Sequence, residues 1–226
     1  MPTPLALVTC AAILIFAGVL HADGPATTQP AKRVALLFDD GPSPATGERL
    51  AALFEREGVV ANFALVGRNV EQHADVARAY QAAGHEILNH SLTHAHPADL
   101  DDAAMRAEVV ESQRILEETL DERPVYYWTP FGEFDARMPA LWEEANLKAP
   151  PFDRLRFIST SDWDAANVDA DAIEAAALRA TEDLTVILFH EWRAETVERM
   201  PAIVAALKSR GYAFVTISEL EAALGE

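Results

Sequence analysis

Val34-Ala35-Leu36-Leu37-Phe38-Asp39-Asp40-Gly41-Pro42 is the stretch on which the reading of this chain turns. Five apolar or small residues run straight into two adjacent carboxylates, and a Gly-Pro pair ends the run. An apolar run of that length, bounded by turn residues, predicts a buried strand. Asp39 and Asp40 then stand at its C-terminal end, where side chains leave a sheet and face a cleft. Neighbouring strand residues point to opposite sides. The two carboxylates therefore need not do the same job: one can hold a metal while the other works as a base. Asp, Gly and Pro also favour turns, so the motif taken alone fits a plain turn equally well.

Working outward, apolar runs and amphipathic stretches alternate. Helices are expected over 44–58, 70–83, 102–120, 136–146, 169–182 and 194–209, and strands over 59–67, 85–89, 125–129, 155–160, 184–190 and 212–216. Strand-helix alternation over most of the chain predicts an α/β fold with a mainly parallel sheet or barrel, built as a single domain. The polar groups of interest follow strand ends, where barrels place their active sites.

Length and charge bound the function. At 226 residues the chain is one domain or at most two. Its net charge of −18 argues against nucleic-acid or anionic-membrane partners and suits a neutral or cationic substrate. Residues 4–20 carry no charge and have the length of a signal-peptide apolar region. Residues 1–23 are read as a signal peptide, with an uncleaved N-terminal anchor as the alternative, 24–32 as a linker and 33–226 as the folded domain. An extracytoplasmic location, secreted or periplasmic, is expected. The only cysteine, Cys10, leaves with a cleaved signal, which excludes disulfides, thiolate metal sites and a cysteine nucleophile from the mature chain.

Three further motifs carry chemistry. His90-Ser91-Leu92-Thr93-His94 spaces two histidines at i and i+4, on one side of a helical turn. With Asp40 they form a His₂Asp set, and three N/O ligands with an open fourth position suit a catalytic zinc-like ion. His73, His85 and His96 read as structural or exposed. Val186-Ile187-Leu188-Phe189-His190 delivers His190 to the same end of the sheet, and imidazole is the side chain best suited to proton transfer near neutral pH. In Ser161-Asp162-Trp163-Asp164, Asp162 can orient His190 and hold it protonated. Trp163 either walls a small apolar pocket or packs in the core.

Taken in order, Phe-Asp-Asp-Gly-Pro, His-Ser-x-x-His, a strand ending in Pro-Phe-Gly, Asp-Trp and Leu-Phe-His resemble the polysaccharide deacetylase family, the family 4 carbohydrate esterases, from about Arg33 to Leu224. The resemblance implies a distorted (β/α) barrel. It implies Asp39 as catalytic base, Asp40, His90 and His94 as ligands of a divalent metal (zinc, or cobalt), His190 as catalytic acid and Asp162 as its carboxylate partner. Trp163 and Leu188 match the hydrophobic wall around the acetyl methyl. In the third motif, Pro130-Phe131, Phe131 matches the residue whose backbone N–H helps stabilise the oxyanion. The implied partner is an acetylated carbohydrate: chitin-type oligomers or peptidoglycan, with O-acetyl xylan chemically close, and no protein partner. One position departs. Trp128 stands where the family usually has an arginine that holds the catalytic aspartate. Trp128 brings no positive charge, and loss of a charged partner raises a carboxylate's pKa. Arg154 and Arg156 are candidate substitutes, and a non-catalytic carbohydrate- or metal-binding homologue is the rival reading.

Overall fold

The strand expected at 34–38 is the centre of a longer one. In a computed structural model describing residues 32–164, 166 and 169–225, β1 runs over Lys32–Gly41, and Val34 to Phe38 are wholly buried. The expected signal or anchor at 1–23 lies outside the described residues, as does all of the linker except Lys32. β1 is long enough to take three partners. β5 (Thr185–His190) lies along one edge from Val34 to Asp39. On the opposite edge, β2 (Asn62–Leu65) pairs near the C-terminal end and β6 (Tyr212–Phe214) near the N-terminal end. β3 (Glu86–Asn89) pairs with β2, and β4 (Arg156–Ser159) with β5, giving the order β3-β2-β1-β5-β4 with every pairing parallel. Parallel strands covered on both faces need apolar side chains on both, which is why Val34–Phe38 and Val186–Phe189 show no alternation.

The architecture is the expected α/β fold with a parallel sheet. Its described pairings do not join β3 to β4, so no closed ring of hydrogen bonds forms. The stretch 125–129, expected as a strand, makes only single bridges, Tyr127 to Asn89 and Tyr126 to Lys148. Pro124 and Pro130 bracket it, and each removes a backbone donor that a ladder would use.

The helices are α1 (Pro44–Glu57), α2 (Gly67–Gln72), α3 (Ala74–Ala82), α4 (Asp102–Arg106), α5 (Ser112–Thr119), α6 (Met138–Glu144), α7 (Ala170–Ala177), α8 (Ala194–Ser209) and α9 (Ile217–Ala223). α1 opens on Pro44, whose fixed φ suits a first turn, and stops at Gly58 with φ of +60°. Two expected elements divide. The helix foreseen over 70–83 breaks at His73 into α2 and α3. The one foreseen over 102–120 carries a π turn, Ala107–Glu111, between α4 and α5. Turns of that kind are concentrated at functional sites, and this one bears Glu108.

Register across the sheet is set by aromatic packing. Phe38 stands level with Phe63 on β2 and Phe189 on β5, with ring centroids 5.4 and 5.3 Å away. Burying each ring is worth about 1.5–3 kcal/mol, and a one-residue slip would turn every such ring to the wrong face. The same register puts Asp39 directly opposite His190.

Candidate active site

The two aspartates do not diverge as the pleat predicts. Asp40 has φ of +71°, a left-handed value that Asp tolerates better than most residues. The strand alternation ends there, and both carboxylates turn to the same imidazole. Nε2 of His90 lies 3.7 Å from Oδ2 of Asp39 and 3.5 Å from Oδ1 of Asp40. The turn that follows is packed too tightly for any side chain at position 41. A Cβ on Gly41 would meet Oε2 of Glu191 at 1.8 Å. Glu191 is fully buried and accepts hydrogen bonds from the Ser43 N–H at 2.6 Å and the Tyr80 hydroxyl at 2.5 Å. Burial pushes its carboxyl up to about 7, against those two bonds.

The histidine pair is not on a helical turn. Residues 91–94 form a loop with left-handed backbone at Ser91 (φ +69°) and His94 (φ +62°). Glu108 holds it from inside: its Oε2 accepts the Leu92 N–H at 2.9 Å and the Thr93 N–H at 2.8 Å, and its Oε1 accepts the Thr93 hydroxyl at 2.6 Å. The first N–H groups of α2, on Gly67 and Arg68, take the carbonyls of Ser91 and Leu92. Asn89 accepts the Ser91 N–H, and the Ser91 hydroxyl accepts the His94 N–H. His90, 1% exposed, donates Nδ1–H to the Trp128 carbonyl at 2.7 Å, which turns Nε2 toward the aspartates.

His190 is built more simply. Asp162, 1% exposed, faces it with both oxygens: Oδ1 accepts from Nδ1 at 2.7 Å and Oδ2 from the His190 backbone N–H at 2.8 Å. The Thr196 hydroxyl adds a bond to Oδ2 at 2.6 Å. Burial works against a charged imidazole here, but the Asp162 hydrogen bond and the nearby carboxylates outweigh it and raise the His190 pKa.

These groups open on one cleft of about 610 Å³ whose walls include Asp39, Asp40, His94, His190 and Leu188. Trp163 is on its rim and 57% exposed, so of its two readings core packing does not hold. Phe131, with φ of +59° next to buried Pro130, edges onto His94 at 4.5 Å and stacks on His96 at 3.6 Å. His96 is exposed, as expected, but serves as Phe131's support. His85 is structural: it is buried, accepts the Ala61 N–H, and burial depresses its pKa to about 4. Trp128 donates Nε1–H to Oδ2 of Asp39 at 2.7 Å, and Trp192 donates Nε1–H to Oδ2 of Asp40 at 2.8 Å. Burial raises Asp39 to about 6, against the pull of His90, His190 and the Trp128 N–H. Asp40 goes the other way: burial alone would raise it, but the facing imidazoles hold it far below the carboxylate range.

Asp40, His90 and His94 offer three ligand atoms within 4.8 Å of one another. Oδ1 of Asp40 lies 3.1 Å from Nε2 of His94, and both it and Nε2 of His90 are buried without a hydrogen-bond partner. Buried polar atoms are ordinarily partnered. Lone pairs converging on one point, with the far nitrogen of His90 committed to a carbonyl, fit a cation held by a His₂Asp set.

A family model described as polysaccharide deacetylase matches residues 26–150. The chain belongs to the polysaccharide deacetylase family. It is similar to a peptidoglycan-N-acetylglucosamine deacetylase of Bacillus cereus, 26% identical over 192 residues that cover 84% of this chain and 88% of the relative. It is also similar to a bifunctional xylanase/deacetylase of Pseudobutyrivibrio xylanivorans, 29% identical over 196 residues; the match covers 85% of this chain and 31% of that longer protein, so the chain spans about a third of its length. Among solved structures, a family 4 carbohydrate esterase from Streptomyces lividans in complex with acetate superposes with a TM-score of 0.72 at 29% identity, over 81% of this chain and 91% of that one.

In this chain neither arginine offered as a substitute for the motif arginine reaches Asp39. Arg154 donates to the Leu224 carbonyl, and Arg156 is exposed at the start of β4. The indole N–H of Trp128 fills that place with a neutral donor. Charge alone is misleading at this position, because Trp always brings an N–H donor, a signal present in the sequence and easily missed. Glu108, Trp192 and Thr196 were also missed. Glu108 had a signal: it is a charged residue on the face of the helix that carries Met105, Val109 and Ser112 inward. Trp192 had none beyond its position two residues after His190.

Proposed function

We propose that this chain removes acetyl groups from an N-acetylglucosamine-containing carbohydrate, a chitin-type oligomer or peptidoglycan, with Asp40, His90 and His94 holding a divalent ion. The observation that carries this reading is the convergence, in one cleft, of that donor set with a buried carboxylate of raised pKa and a carboxylate-backed histidine. The ion, zinc or cobalt by its donors, acts when bound as a Lewis acid on the acetyl carbonyl and lowers the pKa of the attacking water.

The chain's own residues do the rest. Trp128 holds Oδ2 of Asp39 and leaves Oδ1, buried without a partner, to take the water's proton. A carboxylate lifted to about 6 is better matched to that task near neutral pH than an ordinary one. The backbone N–H of Phe131 is assigned to the developing oxyanion, and Leu188 with Trp163 to the acetyl methyl. His190, kept protonated at Nδ1 against Asp162, gives its Nε2 proton to the departing amine. Acetate and a free amino sugar leave. The apolar N-terminal stretch supports an extracytoplasmic location, where such polymers are found.

The likeness to a xylanase/deacetylase supports a second reading, in which an O-acetyl ester of xylan is the substrate. The Trp128 N–H on Asp39 weighs against a non-catalytic homologue, because the base keeps a partner. The test is acetate release by the purified full-length chain, with zinc or cobalt, from chitooligosaccharides, peptidoglycan and acetylated xylan. Release from an N-acetylglucosamine substrate, lost on chelation and in Asp39→Asn, is expected. Release from xylan alone selects the ester, and none from any substrate with metal bound defeats the enzymatic reading.

A further inference from the structure

We propose that Trp192 is a positioning residue for Asp40 and that its indole restricts this carboxylate to binding the metal through one oxygen. The inference rests on the proposed metal site. The two oxygens of Asp40 have unlike surroundings. Oδ2 accepts the Trp192 indole N–H at 2.8 Å. Oδ1 is buried, has no hydrogen-bond partner, and lies 3.1 Å and 3.5 Å from Nε2 of His94 and His90. The backbone of Asp40 is pinned as well, since its carbonyl accepts the Asn69 side-chain amide at 2.9 Å. The carboxylate is left mainly with rotation about its own side-chain bonds, and the indole stops that rotation with Oδ1 inward.

Trp192 is itself held in place. It sits on the turn between β5 and α8, between wholly buried Glu191 and Arg193, whose guanidinium lies 5.8 Å from the indole centre. The ring is 42% exposed and lines the cleft, so it is not a core-filling side chain. Its ring also lies beside that of His190, with centroids 6.0 Å apart, but it offers no polar atom there. Its indole N–H goes to the outer oxygen of a metal ligand.

The consequence concerns which ion is preferred. Small ions in tetrahedral sites take one oxygen per carboxylate, whereas larger oxygen-seeking ions are satisfied by two. With Oδ2 occupied by an N–H, Asp40 offers the first arrangement and resists the second. Outer partners of metal ligands typically contribute about 10–100-fold to affinity. Trp192 is therefore placed to favour zinc over an ion such as manganese.

The experiment measures zinc and manganese dissociation constants of the metal-stripped full-length chain by competition with a chelating indicator. Trp192→Phe keeps a ring and removes the N–H, and its metal-free thermal melt should match the parent's. Zinc affinity is expected to fall about tenfold and manganese affinity less than about threefold, narrowing the preference. Zinc affinity within twofold of the parent overturns the proposal, and so does an equal loss for both ions. Asp40→Asn separates the two levels. If it binds zinc as tightly as the parent, the metal site itself is wrongly placed; if it does not and Trp192→Phe does, only the role of Trp192 falls.

Discussion

The two histidine-bearing sides of the cleft are built on different principles. His190 arrives on a regular strand, in register with Asp39, and one buried carboxylate fixes both its backbone and its ring. His90 and His94 arrive on a loop with two left-handed residues, shaped by Glu108 from a π turn and by the first N–H groups of α2. The first side owes its geometry to the sheet. The second owes it to a polar scaffold drawn from distant parts of the chain. Damage to each should therefore leave a different signature, in proton transfer on one side and in metal affinity on the other.

Among variants that separate the two sides, the largest effect is expected from Asp162→Asn, which keeps the shape of the strand-borne side and removes its charge. An amide oxygen can still accept the His190 N–H and the Thr196 hydroxyl, but an NH₂ group then faces Nδ1. The imidazole is forced into the tautomer with its proton on Nε2 and loses the charge that stabilises its protonated form. Loss of a positioned general acid costs about 10²–10⁴-fold. We expect kcat for acetate release to fall within that range while zinc affinity stays at the parent's value. A matching loss of zinc affinity would show that the two sides are not separable.

The same contrast explains what could be read from the sequence. Asp39, Asp40 and His190 were legible because an apolar run ending in a polar residue points to a strand end, and strands deliver side chains in a regular way. The donor types at His90 and His94 were legible too, but their geometry was not. An i, i+4 spacing suggests a helical turn, and the actual loop depends on a carboxylate 15 and 16 residues away in sequence. A left-handed φ at Asp40 was equally hidden, since Asp is permitted there without being required to adopt it. The single bridges at 125–129 show the same limit: the apolar content suited a strand, and the flanking prolines withheld the ladder.

An intermediate effect is expected from Glu108→Met, which attacks the loop-borne side. Methionine fills the volume but accepts no hydrogen bond, leaving the Leu92 and Thr93 N–H groups unpartnered at about 1–3 kcal/mol each. The loop should shift to rehydrate them, and zinc affinity, read by chelator competition, should drop about 10–100-fold. Glu108→Gln should stay within a few-fold of the parent, because its amide oxygen can take both N–H groups while its NH₂ meets the Thr93 hydroxyl. Equal losses in the two variants would show that charge, rather than hydrogen bonding, holds the loop.

Trp128 is the sharpest instrument because it touches both sides through different atoms. Its indole N–H serves Asp39 at 2.7 Å, whereas its backbone carbonyl serves Nδ1 of His90 at 2.7 Å. Trp128→Phe deletes the first contact and keeps the second, and a phenyl ring can still pack against Phe152 and Phe157. A hydrogen bond to a charged group is worth about 1.5–3 kcal/mol. Asp39 also keeps its neighbours His90 and His190, so we expect the low end of that range, about a tenfold fall in kcat. Zinc affinity should not change, since the carbonyl on His90 remains. Trp128→Arg provides the complementary reading: a cation beside Asp39 should lower its pKa and move the acid limb of the rate profile to lower pH, at the expense of the aromatic packing. If Trp128→Phe weakened zinc binding instead, the indole would be holding the loop-borne side through the peptide it shares with His90, and the division between strand and loop would have to be redrawn at this residue.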